Sequence, residues 1–405
     1  MVPSHRLTAE LPPKGSLTIR PLNKNLYDNG IPKDRILFLP PSSGGMEIKM
    51  EQYVSYNILF GATPENGALF VNHEQNGRSG HLSHALAEYE KGHVIAFYSN
   101  CSGKRNKWSP GHNGFGWLEY KRSRDGGVTW DGAKVFPYSW ESFLNEPFTV
   151  SCEKAVSTQE GEIVALCIRN ENPNGWEPYL EPVAVRSEDG GETWQAPTLV
   201  CDKKGRIYDA VVHEGNIYLL MLANRDFLAE KPEHRYYIYK SEDHGKSFLL
   251  QGELPGDTKG HAYGAMTVRE DGTLLCYEYD SNDEYNLIYH ISRDMGKTWE
   301  ESGKSFCAKR IRNPQIARVR GGYLLHGRAG CVTEELPMHF VLYTSPDGVR
   351  WDEGRYLYAC EGKTAYYSNN LVLDTEDGSQ RVLIQASVPY SKGGVNIAHW
   401  MLEIL

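Results

Sequence analysis

The segment Ser123–Trp130 reads SRDGGVTW, and close copies follow as SEDGGETW from Ser187, SEDHGKSF from Ser241 and SRDMGKTW from Ser292. A shortened form, SPDGVRW, begins at Ser345. The aspartates of the five copies are Asp125, Asp189, Asp243, Asp294 and Asp347, at successive gaps of 64, 54, 51 and 53 residues. A short motif returning at such a period signals a repeat architecture, in which each repeat is one supersecondary unit. Within the motif, an aspartate can accept backbone N–H groups and fix a turn. Glycine supplies a backbone conformation closed to other residues, and the final aromatic packs beneath a neighbouring strand. The five aspartates are therefore read as scaffold rather than catalyst.

The text between the motifs is strand grammar. KAVSTQEGEIVALCIRN, YDAVVHEGNIYLLMLAN and YGAMTVREDGTLLCYEYD each place a glycine-containing turn between two runs rich in Val, Ile, Leu and Tyr. Each unit reads as strand, tight turn, strand, long loop, third strand, motif, and a short fourth strand. Four antiparallel strands per unit at this spacing predict an all-β chain folded as a β-propeller. Six units open near His81, Glu153, Asp209, Tyr263, Asn313 and Tyr367, so we expect six blades over residues 76–405. Residues 1–75 carry no motif, but RILFLP, YNILFG and ALFVN look like strands. They are expected to form an extension that packs on or closes the ring, or a seventh, degenerate blade.

Composition narrows the function. Hydrophobic residues make up 40% of the 405 and charged residues 23%, ordinary globular usage. A net charge of −9 without a basic run speaks against nucleic acid. No window of 18 apolar residues is present, so no membrane span is expected. The start, MVPSHRLTAELPPKGSL, lacks the pattern of a secretory signal, and the eight cysteines include no CxxC pair. Both point to a reducing, cytoplasmic setting. No cluster has metal-ligand spacing, and no cofactor is expected.

The five repeats resemble the Asp-boxes (BNR repeats) of the sialidase, or neuraminidase, superfamily, from about residue 65 onward. The resemblance implies a site at the channel mouth, where first strands begin and second strands end. It also implies a tyrosine nucleophile assisted by a glutamate, an acid/base aspartate and three arginines on the substrate carboxylate. TAYYSNNLVL resembles the segment carrying the nucleophile, which makes Tyr367 its counterpart and Tyr366 the second choice. RNPQIARVRGGYLLHGRAG resembles the blade where a glutamate opens the first strand and an arginine ends the second. Arg328 matches that arginine, whereas Asn313 stands in the glutamate's place. GHLSHALAEYEKGHVIAFYSN has no arginine where one is expected; His81 and His84 occupy that neighbourhood. The following loop has no aspartate, and His112 is its titrating residue.

The strand ends by themselves give the same region. His81, His84, Glu153, Asp209, Tyr263, Arg312, Tyr366 and Tyr367 open first strands, and Arg169 and Arg328 end second strands. Such polar rings bind something or pair internally. On a strand, the spacing of three would put His81 and His84 on opposite faces. Trp176, on the loop after the second strand of blade two, could stack on a sugar ring.

Three functions follow as expectations. The first is a glycosidase releasing a terminal acidic sugar from a short oligosaccharide. It would use Tyr367 as nucleophile, Asp209 or Glu153 as acid/base, and Arg328 with Arg312 or Arg169 as the clamp. The second is a lyase or unusual glycosidase acting beside a uronic acid through His84, Tyr263 and Arg328. The third is a non-catalytic sugar-binding propeller.

Overall fold

In the computed structural model, the described residues are 53–405 except 67, 103–115, 146–147, 172–178, 225–233, 257–260, 331–337, 360–364 and 392, and except the side chains of 171, 261 and 262. They form five four-stranded antiparallel sheets and, in blade one, a five-stranded sheet whose inner position is shared by two segments, arranged as a six-bladed propeller with one short α-helix, Pro137–Asn145. The inner strands of blades one to six are Leu86–Glu90, Phe148–Val156, Gly205–His213, His261–Val268, Arg312–Val319 and Ser368–Asp374. The core runs between the blades, where large residues such as Phe97, Tyr236, Tyr277 and Trp400 are fully buried. No helix among the described residues is long and apolar enough to cross a membrane.

The motif turns close the way their chemistry requires. In the four full copies the serine Oγ accepts the N–H of the glycine four residues on, at 2.8 to 2.9 Å. The aspartate Oδ1 accepts the N–H of the following Thr or Ser at 2.8 to 2.9 Å, and Oδ2 accepts its hydroxyl at 2.5 to 2.6 Å. The shortened fifth copy substitutes Arg350, whose Nε donates to Asp347 Oδ2 at 2.6 Å.

Each turn also clamps the preceding blade. Gly191 sits against Ile95, Gly245 against Val164, Gly296 against Ile238 and Gly348 against Leu275, while Gly127 meets Leu383 of blade six. Trp194 shows the same relation through its ring, which packs edge-on against Phe97, Tyr120 and Phe136 of blade one. The turns are therefore inter-blade staples.

Blade six carries no motif. Its outer strand comes from the opposite end of the described chain: Tyr56–Gly61 pairs with Val395–Ile404, and Val54 approaches Gly322 of blade five. ALFVN contributes a single bridge, Val71 to Ile397. RILFLP lies outside the described residues.

Candidate functional site

The inner strands are irregular at the channel mouth. Pairing with the second strand skips a residue at Glu153 in blade two and at Tyr208 in blade three. It skips between His261 and Gly264 in blade four, and between Arg312 and Gln315 in blade five. A bulge leaves an extra residue outside the ladder and re-aims it. The residues so released, Glu153, Tyr208, Tyr263 and Asn313, all line one pocket with His84, Arg206, Gln315 and Tyr367.

Blade one reaches the same end differently. Its second strand pairs with both Arg78–Ser79 and Leu86–Glu90, and the intervening residues leave the ladder. Gly80 begins the detour in a space where a Cβ would lie 2.7 Å from His73 Nε2 and 2.8 Å from the Ser99 carbonyl. Ser83 then adopts a left-handed φ of 70°. Asn313 (53°) and Tyr366 (66°) do the same at blades five and six. Such backbone costs about 1–3 kcal/mol per residue and gathers at functional sites. The detour corrects the expectation for the two histidines. Because residues 80–85 are not strand, His81 and His84 are not on opposite faces of a sheet. The His81 ring lies 4.5 Å from that of Tyr367, and His84 lines the pocket with Nε2 3.1 Å from the His81 carbonyl.

At the centre are two phenols. Tyr263 Oη and Tyr367 Oη are 3.1 Å apart, both buried. Three guanidinium groups surround them. That of Arg206 lies 5.5 Å from the Tyr367 ring and 6.0 Å from that of Tyr263, and that of Arg312 lies 5.3 Å from Tyr263. Arg328 stands opposite Arg312 in the ladder and is 5% exposed, so its charge acts in a medium that screens it poorly. Burial pushes the Tyr263 phenol up, but Arg312, Arg328 and Arg206, with the hydrogen bond from Tyr367, outweigh it and hold it below its ordinary range. For Tyr367 burial and the neighbouring Tyr263 win over Arg206 and Arg328, and its phenol is raised. Of the pair, Tyr263 is the member that gives up its proton first. Burial also drives His84 down to about 4, so it is neutral at pH 7.

Two carboxylates steady the cations. Glu153 Oε2 is 2.8 Å from Arg206 Nη2. Glu284 lies 3.6 Å from Arg312 and 3.4 Å from Arg310, and accepts the Tyr279 hydroxyl at 2.5 Å. Several buried polar atoms at the pocket have no hydrogen-bond partner among the described residues: Arg206 Nε and Nη1, Arg328 Nε, Glu153 Oε1 and both amide atoms of Asn313. Buried polar groups in folded proteins are nearly always satisfied, and such a set suits a polar, anionic ligand.

The structure therefore brings together Tyr367, Tyr263, Glu153, His84, His81, Arg312 and Arg328. Asp209 lies elsewhere. Its Oδ1 is 2.9 Å from Lys154 Nζ, its Oδ2 accepts the Met266 N–H at 2.9 Å, and it lines the central channel, a cavity of about 580 Å³, rather than the pocket. Arg169 turns to Glu181, donating from Nε to its carbonyl at 2.9 Å. The Tyr366 ring is buried between blades five and six, stacked on Phe340 at 6.0 Å. Trp176 and His112 lie outside the described residues. Arg206 and Tyr208 are pocket residues that the sequence reading passed over, because it opened blade three at Asp209. The run GRIYD held the signal: a bulge at Tyr208 moves the strand's start back to Gly205.

No protein-family model matches the chain, and no curated protein matches it. Solved structures do. A protein of unknown function from Dyadobacter fermentans aligns with a TM-score of 0.66 and 16% identity, over 86% of this chain and 99% of that one. A Hadza microbial sialidase aligns at 0.61 and 16% identity, over 82% of this chain and 67% of that one. Trypanosoma rangeli sialidase in complex with the inhibitor DANA aligns at 0.55 and 15% identity, over 80% of this chain and 55% of that one. At such identities the likeness is one of fold: this chain shares the propeller of sialidases.

Proposed function

We propose that this protein is a sialidase-like glycoside hydrolase that releases a terminal acidic sugar from a short oligosaccharide. The observation that carries the reading is the buried Tyr263–Tyr367 hydroxyl pair set among three arginines. Arginine's planar fork pairs bidentately with a carboxylate, so Arg206, Arg312 and Arg328 would hold the acidic group. Tyr367 is the nucleophile. Its oxygen bonds to the anomeric carbon as the glycosidic C–O bond breaks; its proton passes to the Tyr263 oxygen across their hydrogen bond, and Tyr263, the more acidic of the two phenols, hands its own proton to the departing sugar oxygen. A neutral phenol avoids the repulsion that a carboxylate nucleophile would meet beside an anionic sugar. Glu153, which pairs with Arg206 at 2.8 Å, would activate the water that cleaves the glycosyl-tyrosine. The five serine-to-aspartate turns support the reading as Asp-boxes, and the sialidase fold neighbours are consistent with it.

The test is a panel of aryl glycosides of acidic sugars, whose leaving groups depart without a proton. Hydrolysis adds the mass of water to the products, and both Tyr367→Phe and Arg328→Ala should abolish it. Unchanged turnover in either variant would overturn the assignment.

A second reading is favoured by the lowered phenol of Tyr263. A tyrosinate beside arginines is also the equipment for removing the proton next to a uronate carboxylate, followed by β-elimination of the glycosidic oxygen. Mass-neutral cleavage with new ultraviolet absorbance would establish this route, and Tyr263→Phe, rather than Tyr367→Phe, would then be the inactive variant.

A further inference from the structure

A group of aromatic rings between blade one and the helix that follows it is built against the usual logic of packing. The helix Pro137–Asn145 turns Ser139 and Ser142 inward, and Ser139 Oγ accepts the Leu118 N–H at 2.9 Å. Tyr138 packs against the core, but Trp140 and Leu144 face the other way, 37% and 60% exposed. An amphipathic surface helix normally buries its apolar face, so an outward tryptophan calls for a role other than docking the helix. Trp140 stacks on Phe143 with centroids 5.5 Å apart, and each ring meets Trp117 edge-on at 5.1 Å. The arrangement is held by hydrogen bonds as well as contact. Trp117 Nε1 donates to Glu119 Oε1 at 2.8 Å, and Asn100 Nδ2 donates to the same oxygen at 2.7 Å. Arg78 donates from Nε to Asn100 Oδ1 at 2.6 Å, with its guanidinium 4.7 Å from the Trp117 ring.

This group stands at the end of blade one where the pocket lies. Trp117 opens the third strand of blade one opposite Asn100, at the mouth end of the second strand. Arg78 is three residues before His81, whose ring touches Tyr367. Three residues of chain span at most about 10 Å.

We propose that Trp140, backed by Trp117 and Phe143 and edged by Arg78, is a platform for the neutral hexose next to the acidic sugar. The C–H face of a pyranose is apolar while its rim carries hydroxyls. It therefore fits a flat aromatic surface with fixed donors and acceptors at one edge. The edge groups Arg78 and Glu119 balance in charge, which suits a neutral ring rather than a second anion. The platform rests on the proposed function above in one respect only, that the acidic sugar occupies the arginine pocket.

The experiment uses lactose as a neutral probe, titrated calorimetrically into the full chain. Lactose should bind, and Trp140→Ala should weaken it by about tenfold, the factor given by a loss of ~1.4 kcal/mol. Trp140→Phe should recover most of the affinity, and thermal melts identical to the parent would show that the variants fold. In turnover, Trp140→Ala should raise KM for an acidic sugar–lactose trisaccharide by a similar factor, leaving inhibition by the free acidic monosaccharide, which has no second ring to place on Trp140, unchanged. Absence of lactose binding, or equal binding by parent and Trp140→Ala, would overturn the platform. Lactose binding lost in Trp140→Ala without turnover of any acidic glycoside would uphold the platform and sink the hydrolase reading instead.

Discussion

Tyr263 and Tyr367 stand 104 positions apart in the chain, yet their hydroxyls meet at 3.1 Å. The contact joins the inner strands of blades four and six, and the surrounding arginines make its two members unequal. Tyr263 is held below the ordinary phenol range and Tyr367 above it. Tyrosinate absorbance followed against pH should therefore show one phenol titrating ahead of the others. Tyr263→Phe should remove that early step. Tyr367→Phe should move it upward, since the phenolate loses its hydrogen-bond donor. An unaltered early step in Tyr263→Phe would refute the assignment.

The Arg206–Glu153 pair makes a prediction about stability. Arg206 is 2% exposed, and its charge is kept on chiefly by Glu153 and the nearby tyrosines against strong desolvation. Removing one partner strands a buried charge, a loss of about 3–5 kcal/mol. Arg206→Met should therefore be severely destabilising in urea unfolding. Adding Glu153→Gln to it should restore part of the loss, because the double variant has no uncompensated charge. Purely additive losses would mean that the two residues are not coupled.

Four buried histidines set the acid limit. Burial is the first cause in each case, holding His73 and His84 at about 4 and His326 and His399 at about 3. These folded-state values lie below the unfolded value of about 6.5. Between them the unfolded chain binds more protons, so stability rises with pH across the window. The contribution is complete above about pH 6.5 and is lost as pH falls toward 4 and then 3. Melting temperature should fall progressively over that range. His399→Gln should flatten the fall if the variant keeps the hydrogen bond that His399 Nε2 shares with Gln385.

Much of this architecture was legible because its determinants are local. Each motif turn is closed by atoms within four residues of one another, so Ser, Asp, Gly and Thr announce the turn wherever they recur. The six strand openings also placed Tyr263, Tyr367, Arg312 and Arg328 near one mouth. What the letters concealed was register. A single bulge at Tyr208 exchanges Arg206 for Asp209 at the pocket, since slipping a strand by one residue reverses its faces. Likewise the left-handed Ser83 brings His81 and His84 to the same mouth. Partners chosen across blades, such as Lys154 for Asp209, belong to no local pattern.

The staple role of the motif turns can be isolated with two glycines that share a backbone conformation and differ in surroundings. Gly215, in the hairpin of blade three, has φ 76° and open space where a Cβ would stand. Gly245, in the motif turn of the same blade, has φ 75°, but its Cβ would lie 2.6 Å from Val164 Cγ1 of blade two. Alanine at either position meets the same left-handed penalty, about 1–2 kcal/mol. Only at 245 must it also force the neighbouring blade away, and overpacking of that kind adds about 1–3 kcal/mol. Gly245→Ala should therefore lose clearly more stability than Gly215→Ala in denaturant titrations. The Val164→Ala background should narrow the gap, because it removes the methyl groups that the new Cβ strikes. Equal losses at the two glycines would mean that the turn fixes only its own blade, and that the ring is held together by the inter-blade core alone.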